Sequence, residues 1–412
     1  MITHEQLREE LRETLLSEMD YSQEITDEEM YERIDRLILK GVKDLAVSVA
    51  ERKRLRNELF SSVRRLDVLQ ELVDDPSVTE IMVNGTDNIF IEREGRLMRA
   101  STTFSSREKL EDVIQQIVAA CNRVVNESSP IVDARLSNGS RVNIVLHPIA
   151  LNGPIITIRR FPEHPITMDR LISFGSVTPY LAEYLGVLVR AGYNIFISGG
   201  TGSGKTTFLN ALSDSIPKDE RVITIEDNAE LQILHVPNIV RMEARNANVE
   251  GCREISIRDL IKSSLRMRPD RIIVGEVRGS EAIDMVQAMN TGHDGSMSTG
   301  HANSARDMLA RLETMILMGM DLPLPAIRGQ LASGIDIIVH LGRLRDRTRK
   351  LLSVSEITGD VDPVTGRIGM RTLFAFTETG TDADGRVLGT FEKKEDLSNV
   401  GKLQAAGLRL PA

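Results

Sequence analysis

Cysteine, tryptophan and long apolar runs are scarce or missing in this chain of 412 residues. It contains two cysteines, Cys121 and Cys252, and no tryptophan. The two cysteines lie far apart and form no Cys/His cluster, which argues against a disulfide framework and a zinc site and is typical of a reducing compartment. No stretch approaches the roughly 20 apolar residues that cross a bilayer, and residues 1–20 lack the apolar core of a signal peptide. We therefore expect a cytoplasmic chain that contacts a membrane only through partners.

An excess of basic charge is also absent. The 60 acidic residues outnumber the 51 basic ones, and the formal net charge is -9. Such a chain repels a phosphate backbone, so we expect no non-specific binding of nucleic acid. The composition, with 41% hydrophobic and 27% charged residues, is that of a globular protein of two to three domains.

The pattern along the chain predicts an α/β protein with three parts and a linker. Residues 1–62 carry apolar residues at helical spacing and are predicted to form a helical module. Residues 63–160 show strand runs separated by tight turns and one helix, which predicts a smaller α/β domain. Residues 161–168 contain two prolines and are predicted to be a linker.

The remaining residues, 169–412, alternate between strand and helix patterns. This alternation predicts a parallel sheet with helices on both faces. The strands are predicted at Asn194–Ser198, Arg221–Ile225, Ile239–Met242, Arg271–Val274, Ser296–Thr299 and Asp336–His340.

The strongest motif occupies residues 199–206, which read Gly-Gly-Thr-Gly-Ser-Gly-Lys-Thr between a predicted strand and a predicted helix. Glycines let such a loop curl around phosphates with its N–H groups directed inward. Lys205 is predicted to reach the β- and γ-phosphates, and the Thr206 hydroxyl to bind Mg²⁺. The sequence therefore predicts a site for ATP and Mg²⁺. Its nucleotide-binding residues are predicted to be Gly200, Thr201, Gly202, Ser203, Gly204, Lys205, Thr206 and Thr207.

Two glutamates follow predicted strands and are candidates for catalysis. Glu226 ends one strand, and we predict that it faces the phosphates or the attacking water; the alternative is a solvated acidic loop. The apolar run 272–274 is followed by Gly275 and then by Glu276. Gly275 occupies the position at which a Walker B motif usually has an aspartate. We predict that Glu276 acts as the general base, helps to hold Mg²⁺, or does both.

Histidines and arginines provide further candidates. His301, and with less support His293, lies in a glycine- and serine-rich stretch around a predicted strand, and His301 at the strand end is predicted to sense the γ-phosphate. An arginine provided across an interface can neutralise charge in the transition state. The smaller domain offers candidates for that role, although residue type alone fits surface charges equally well. The candidates are Arg135, Arg141 and Arg159.

Taken in order, these motifs resemble the secretion-ATPase superfamily of type II and type IV secretion and type IV pili. Within it, the chain looks most similar to the CpaF-type ATPases of tight-adherence (Tad) pili. The resemblance covers residues 66–412. It rests on the P-loop and on residues 78–85, 133–136, 139–143, 158–161, 225–227, 275–278 and 298–303.

The resemblance implies a homo-hexameric ring with a RecA-like P-loop C-terminal domain and a PAS-like smaller domain. It places Glu226 in the Asp box, Glu276 in Walker B and His301 in the His box of the family. It also implies that the three arginines approach ATP from a neighbouring subunit or after domain closure. A glycine in place of the Walker B aspartate is normal there, whereas the four-cysteine zinc module of many type II ATPases is absent.

The expected function is an ATP-hydrolysing motor that drives assembly or retraction of a Tad or type IV-like pilus. It would work at the inner face of the inner membrane through a platform protein. One alternative is a DNA-translocating conjugation or type IV secretion ATPase, which the net charge disfavours. Another is a nucleotide-binding regulator that no longer hydrolyses ATP, against which the intact Lys205, Thr206 and Glu276 argue.

Overall fold

A computed structural model describes most of the chain, in two compact units, Met1–Glu163 and His164–Ala412. The first four residues of the predicted linker, 161–164, and Cys252 lie outside the described residues, as does much of the segment before residue 26. The described residues are 7, 10–12, 14–15, 26–41, 48–93, 95–121, 123–136, 138–160, 165–245 and 253–411.

The first unit combines helices with one antiparallel sheet. Its helices are α1 (Asp27–Gly41), α2 (Val49–Arg64), α3 (Gln70–Asp74) and α4 (Arg107–Ala120). Its strands are β1 (Val78–Asn84), β2 (Asn88–Arg93), β3 (Arg96–Arg99), β4 (Ile131–Arg135), β5 (Arg141–Val145) and β6 (Ile155–Arg159). The strand order is β3-β2-β1-β6-β5-β4, and each neighbouring pair is antiparallel.

Alternation along these strands separates an apolar face from a polar one, as the period of two requires. Apolar side chains of β5 and β6, such as Val142 and Ile158, pack with Leu110 and Ile114 of α4 in one core. A separate cluster joins α1 and α2, where the Tyr31 ring stacks on Phe60 with centroids 4.0 Å apart.

The second unit is built on a nine-stranded sheet. Its strands are β7 (Ile195–Gly199), β8 (Val222–Glu226), β9 (Ile239–Glu243), β10 (Arg271–Val274), β11 (Met297–His301), β12 (Ile337–Arg343), β13 (Arg349–Val361), β14 (Ile368–Thr381) and β15 (Val387–Lys393). The order is β15-β14-β13-β12-β7-β11-β10-β8-β9. The six strands from β12 to β9 run parallel, and β13 to β15 extend the sheet in antiparallel fashion.

Helices cover both faces of this sheet. They are α5 (Met168–Ser173), α6 (Pro179–Arg190), α7 (Lys205–Ser213), α8 (Ile257–Ser264), α9 (Ala282–Asn290), α10 (Ala305–Gly319), α11 (Leu324–Gly334) and α12 (Gly401–Ala405). On the central strand, Ile195 and Ile197 pack with α6 and α7, whereas Phe196 packs with α9, α10 and α11. The α/β fold class with a parallel sheet is thereby confirmed, and every predicted strand overlaps an observed one. Within the part of the chain that the structure describes, no helix has the length and apolarity needed to cross a membrane.

A buried glutamate ties the last residues of the chain to the sheet. Glu356 on β13 is 1% exposed, and its carboxylate accepts hydrogen bonds from the Ser398 hydroxyl at 2.9 Å and the Asn399 N–H at 2.6 Å. Arg371 and Glu395, 3.2 Å apart, form an ion pair in the same region that is exposed to solvent, unlike the buried Glu356.

We expect Glu356→Ala to lower the free energy of unfolding by about 2–4 kcal/mol, because it leaves partly buried donors without a charged acceptor. Hydrogen exchange of the β7 amides in the full chain measures this change. The control Glu395→Ala removes an exposed ion pair and should cost about 0.5 kcal/mol or less. Equal effects of the two substitutions would contradict the anchoring role of Glu356.

Candidate nucleotide site

The P-loop lies at the carboxyl edge of the sheet, between β7 and α7. Gly199 at the end of β7 is directly opposite His301 of β11 and Leu341 of β12. A Cβ on Gly199 would stand 2.5 Å from the Leu341 carbonyl oxygen, so only glycine fits this position. Gly202 and Gly204 have φ values of +70° and +92°, which favour glycine as well.

The predicted nucleotide-binding residues differ in their exposure to solvent. Gly200, Thr201 and Gly202 are exposed, Ser203 is buried, and Gly204, Thr206 and Thr207 are half-buried. Gly204 immediately precedes the first residue of α7, so the free N–H groups of that helix end and the positive end of its dipole meet at the loop. This arrangement is suited to binding phosphate.

Lys205 is the first residue of α7, and hydrogen bonds hold its side chain against the preceding residues of the P-loop. Its ammonium donates to the carbonyl oxygens of Gly199 at 3.2 Å and Gly200 at 3.1 Å. It also lies 3.1 Å from Nδ1 of His301. The side chain is only 8% exposed, so the charge is directed at the loop and at His301.

His301 connects Lys205 to Glu276. Its Nε2 lies 2.9 Å from Oε1 of Glu276. Burial lowers the pKa of His301 below its ordinary value of 6.5; the positive charge of Lys205 acts in the same direction, and Glu276 opposes it. The imidazole is therefore neutral at neutral pH. Because Nδ1 faces an ammonium donor, the single proton belongs on Nε2, facing the carboxylate.

Glu276 is also held by an arginine two residues further along the chain, which was not among the predicted site residues. Nη2 of Arg278 donates to Oε2 of Glu276 at 2.7 Å, and this hydrogen bond raises the pKa of Arg278. Glu276 is therefore held through Oε2 by Arg278, whereas its Oε1 lies 2.9 Å from His301 Nε2 and accepts no hydrogen bond from the described residues. The Glu-x-Arg spacing after an apolar strand was the signal available for this contact.

Glu226 and Gly275 are complementary in shape. A Cβ on Gly275 would lie 2.8 Å from Cγ of Glu226, so the glycine makes room for the glutamate from the neighbouring strand. Oε1 of Glu226 accepts from the N–H groups of Glu230 at 2.9 Å and Leu231 at 3.0 Å. Glu226 thus orders the loop after β8 through this oxygen, and burial raises its pKa to about 7.

The three predicted arginines form a row across the sheet of the first unit. Arg135 pairs in register with Arg141, and Arg141 with Arg159. The alternation of the strands puts the row on the face opposite the apolar core. Arg141 lies 3.3 Å from Asp133 and Arg159 lies 3.9 Å from Glu80. The row belongs to the first unit, whereas the P-loop, Glu226, Glu276 and His301 belong to the second.

His293, the weaker histidine candidate, is placed at the other end of its strand. It precedes β11, whose carboxyl end carries His301, and its Nδ1 donates to the Ala288 carbonyl oxygen at 3.2 Å. Because β11 runs parallel to β7, the residue before its start lies at the edge opposite the P-loop. The idea that His293 senses phosphate is therefore wrong.

Comparison with known proteins identifies relatives over most of the chain. The profile of the type II/IV secretion system protein family matches residues 64–385. A putative conjugal transfer protein of Mycobacterium tuberculosis is 34% identical over 309 residues, which cover 72% of this chain and 87% of that protein. The type IV secretion system protein VirB11 of Brucella suis is 32% identical over 303 residues, covering 67% and 84%.

A solved structure shares the fold. The ATPase DotB of Yersinia pseudotuberculosis matches with a TM-score of 0.51 at 20% identity, over 72% of this chain and 78% of that one. At this identity the similarity concerns the fold alone.

These relatives confirm the predicted superfamily and ATPase activity but favour a different branch from the one that we expected. Their names refer to conjugal transfer and type IV secretion, which was the alternative. The assignment to CpaF-type ATPases stays a prediction. The relatives thus favour the branch that the net charge disfavoured. Net charge averages over the whole surface and does not by itself decide between motors that share one ATP-binding core.

The raised pKa of Glu226 predicts a dependence of stability on pH. Its value of about 7, against an ordinary 4.5, means that the folded state favours the protonated carboxyl. This contribution is fully present below pH 4.5 and is lost as the pH rises through about 7. Glu226→Gln keeps the acceptor oxygen and removes the titration.

We therefore expect the Tm of the wild type, relative to that of Glu226→Gln, to fall between pH 5 and pH 8. Thermal melts of both proteins at several pH values measure this difference. The exposed Glu183→Gln serves as the control and should show no such trend. A constant difference for Glu226→Gln would show that this carboxyl does not titrate in the window.

Proposed function

Because the chain belongs to the type II/IV secretion system protein family, whose members are NTP hydrolases, we propose that it is the hexameric motor of a conjugation or type IV secretion machine. Two relatives named for such systems support this proposal, since this chain covers 87% and 84% of their lengths. The motor would act on protein components of the machine at the inner face of the inner membrane, and would contact the membrane through them.

The observation that supports the chemistry is the series of contacts from Lys205 to His301 and from His301 to Glu276. The loop carbonyl oxygens that now accept from Lys205 are neutral and weak acceptors compared with phosphate. Bound ATP would therefore draw the ammonium towards its β- and γ-phosphates. The α7 N–H groups and the helix dipole would hold the same phosphates.

The donors near the loop fit Mg²⁺. This ion takes few protein ligands and fills its shell with phosphate oxygens and water, and the Thr206 hydroxyl and the Glu276 carboxylate provide such a small set. Thr206 follows Lys205 in the first turn of α7, beside the expected phosphates. When bound, the ion would neutralise charge that develops on the phosphates.

Glu276 is proposed to align and polarise the attacking water. The hydrogen bond from Arg278 to Oε2 orients the carboxylate before substrate arrives, which is a requirement for an effective general base. It leaves Oε1, which accepts no hydrogen bond from the described residues, to accept from the water. His301 would register the γ-phosphate through Lys205, since withdrawal of the ammonium changes both the hydrogen bonding and the pKa of the imidazole. Glu226 would support this edge by ordering the loop after β8.

The roles proposed for Arg135, Arg141 and Arg159 are to neutralise phosphate charge in the transition state. Their support is the alignment of three guanidinium groups on one polar face of the first unit. In other phosphoryl-transfer enzymes such an arginine raises the rate by about 10³–10⁵. It needs to be correctly placed only in the reactive complex.

A pilus motor of the Tad type is the second candidate. The observation in its favour is the helical cluster of α1 and α2, which has its own apolar core and precedes the family match that begins at residue 64. For this second candidate the ATP chemistry would be the same. The motor would act on the platform protein of a pilus instead of on components of a secretion machine.

Substitutions at the nucleotide site test the proposed chemistry. We expect Lys205→Ala to abolish ATP binding, because it removes the buried cation that is predicted to reach the β- and γ-phosphates. Glu276→Gln should bind ATP normally and lower kcat by roughly 10²–10⁴. Steady-state ATPase assays, nucleotide titration and oligomer mass measure these effects. The exposed Lys218→Ala and Glu183→Gln are controls, and full activity of Glu276→Gln would contradict its role.

DNA stimulation separates a motor that acts on protein from one that translocates DNA. Given a net charge of -9, we expect single- and double-stranded DNA to leave the ATPase rate within twofold of its basal value. The assay compares about 50 mM and 200 mM salt, since binding to phosphates weakens steeply in that range. A larger stimulation that disappears at the higher salt concentration would identify DNA as the substrate that is moved.

A further inference from the structure

A hairpin rich in arginine lies on the side of the P-loop away from Glu276. Strand β12 runs parallel to β7, with Leu341 opposite Gly199, so the chain beyond Leu341 passes directly beside the loop. The turn into β13 then brings a second arginine back to the same place, since Arg343 pairs in register with Arg349.

Arg349 bonds to a glycine of the loop, and Arg343 lies close to the same glycine. Nε of Arg349 donates to the Gly202 carbonyl oxygen at 2.9 Å. A Cβ on Gly204 would lie 3.4 Å from Cδ of Arg349, and one on Gly202 would lie 3.9 Å from Nη1 of Arg343. The two arginines therefore lie beside the segment of the loop from Gly202 to Gly204.

The charges of this pair are not balanced by acids. Among the described residues, no carboxylate is recorded within 4.0 Å of Arg343 or Arg349, whereas Arg345 on the same hairpin forms two short contacts with Glu378, at 2.5 and 2.6 Å. Two uncompensated cations thus stand beside the buried Lys205 and the positive end of α7. Like charges so arranged repel one another, and a bound polyanion removes that repulsion.

The position of the hairpin identifies which part of a nucleotide it serves. Lys205, His301 and Glu276 mark the γ-phosphate end, on the side of β11 and β10. The arginines lie on the opposite side of β7, next to β12. We therefore expect that they do not contact the γ-phosphate.

We propose that Arg343 and Arg349 form a second phosphate-binding element, which holds the α- and β-phosphates of the nucleotide bound to the P-loop of the same chain. The inference rests on the nucleotide site described above. Nε of Arg349 stays bonded to the loop, and its two terminal nitrogens bind phosphate oxygens, with Arg343 adding a second cation. Because these phosphates remain after hydrolysis, the hairpin retains ADP and thereby controls its release.

The test uses the full chain with Arg349→Ala, Arg343→Ala and the matched control Arg345→Ala, which removes an arginine of the same hairpin that is paired with Glu378. Titration with ADP, ATP and adenosine gives the affinities. We expect Arg349→Ala to weaken ADP and ATP binding by about 10- to 100-fold, as loss of a charge-assisted hydrogen bond to phosphate predicts. Adenosine binding and the Tm of the nucleotide-free protein should not change, and Arg345→Ala should stay within twofold of wild type.

Two results would overturn the proposal. One is ADP affinity of Arg349→Ala and Arg343→Ala within twofold of wild type. The other is a fall in the Tm of nucleotide-free Arg349→Ala that matches the loss of affinity, which would make the arginine a brace of the loop. Arg349→Lys, which keeps the charge, should recover part of the affinity if phosphate contact is the cause.

Mixing of variants tests whether the arginines act within one chain. In a mixture of Arg349→Ala with Lys205→Ala subunits, no intact site forms if both groups serve the same nucleotide, and activity should not exceed the sum of the separate proteins. Recovery of activity would show that the arginines act across a subunit interface and would contradict the proposal. Failure of the ATPase assignment itself is distinguishable, because the wild type would then hydrolyse no ATP, whereas the ADP affinities of the variants are measured without turnover.

Discussion

The alignment of parallel strands at one edge of the sheet is the constraint on which the site depends. Gly199, His301 and Leu341 occupy one line across three strands, so the P-loop, the His301 side chain and the arginine hairpin all start from the same level of the sheet. A shift of one residue in any of these pairings would turn the side chains to the opposite face. The apolar residues that fill both faces of β7 hold this register and therefore the site.

Charge is arranged around that edge with opposite signs on its two sides. Carboxylates come from β8 and from the end of β10, whereas uncompensated arginines come from the β12–β13 hairpin, and Lys205 lies between them. A nucleotide is itself asymmetric, with a reactive γ-phosphate and two phosphates that remain. In the proposed roles, the site would separate hydrolysis, on the side of Glu276, from retention of the product, on the side of Arg349.

Sequence predicted those features that depend on local chemistry. The P-loop was predictable because its left-handed turns require glycine, and Glu276 and His301 because polar residues after apolar strands meet at one edge. The fit of Gly275 to Glu226 was not predictable, since it exists only when β8 and β10 are neighbours. The contact of Arg349 with the loop likewise depends on the order β12-β7, although the alternating arginines of residues 343–349 were visible after a predicted strand.

The ionisation and tautomer of His301 test the central claim most directly. Nitrogen NMR of the seven histidines, with His301→Gln used for assignment, reports both in the nucleotide-free protein. We predict a ring that is neutral in more than half of the molecules at pH 6.5, with its single proton on Nε2, since Nδ1 accepts from Lys205 and burial lowers the pKa. A ring that is protonated at that pH, or that carries its single proton on Nδ1, would contradict the line from Lys205 through His301 to Glu276.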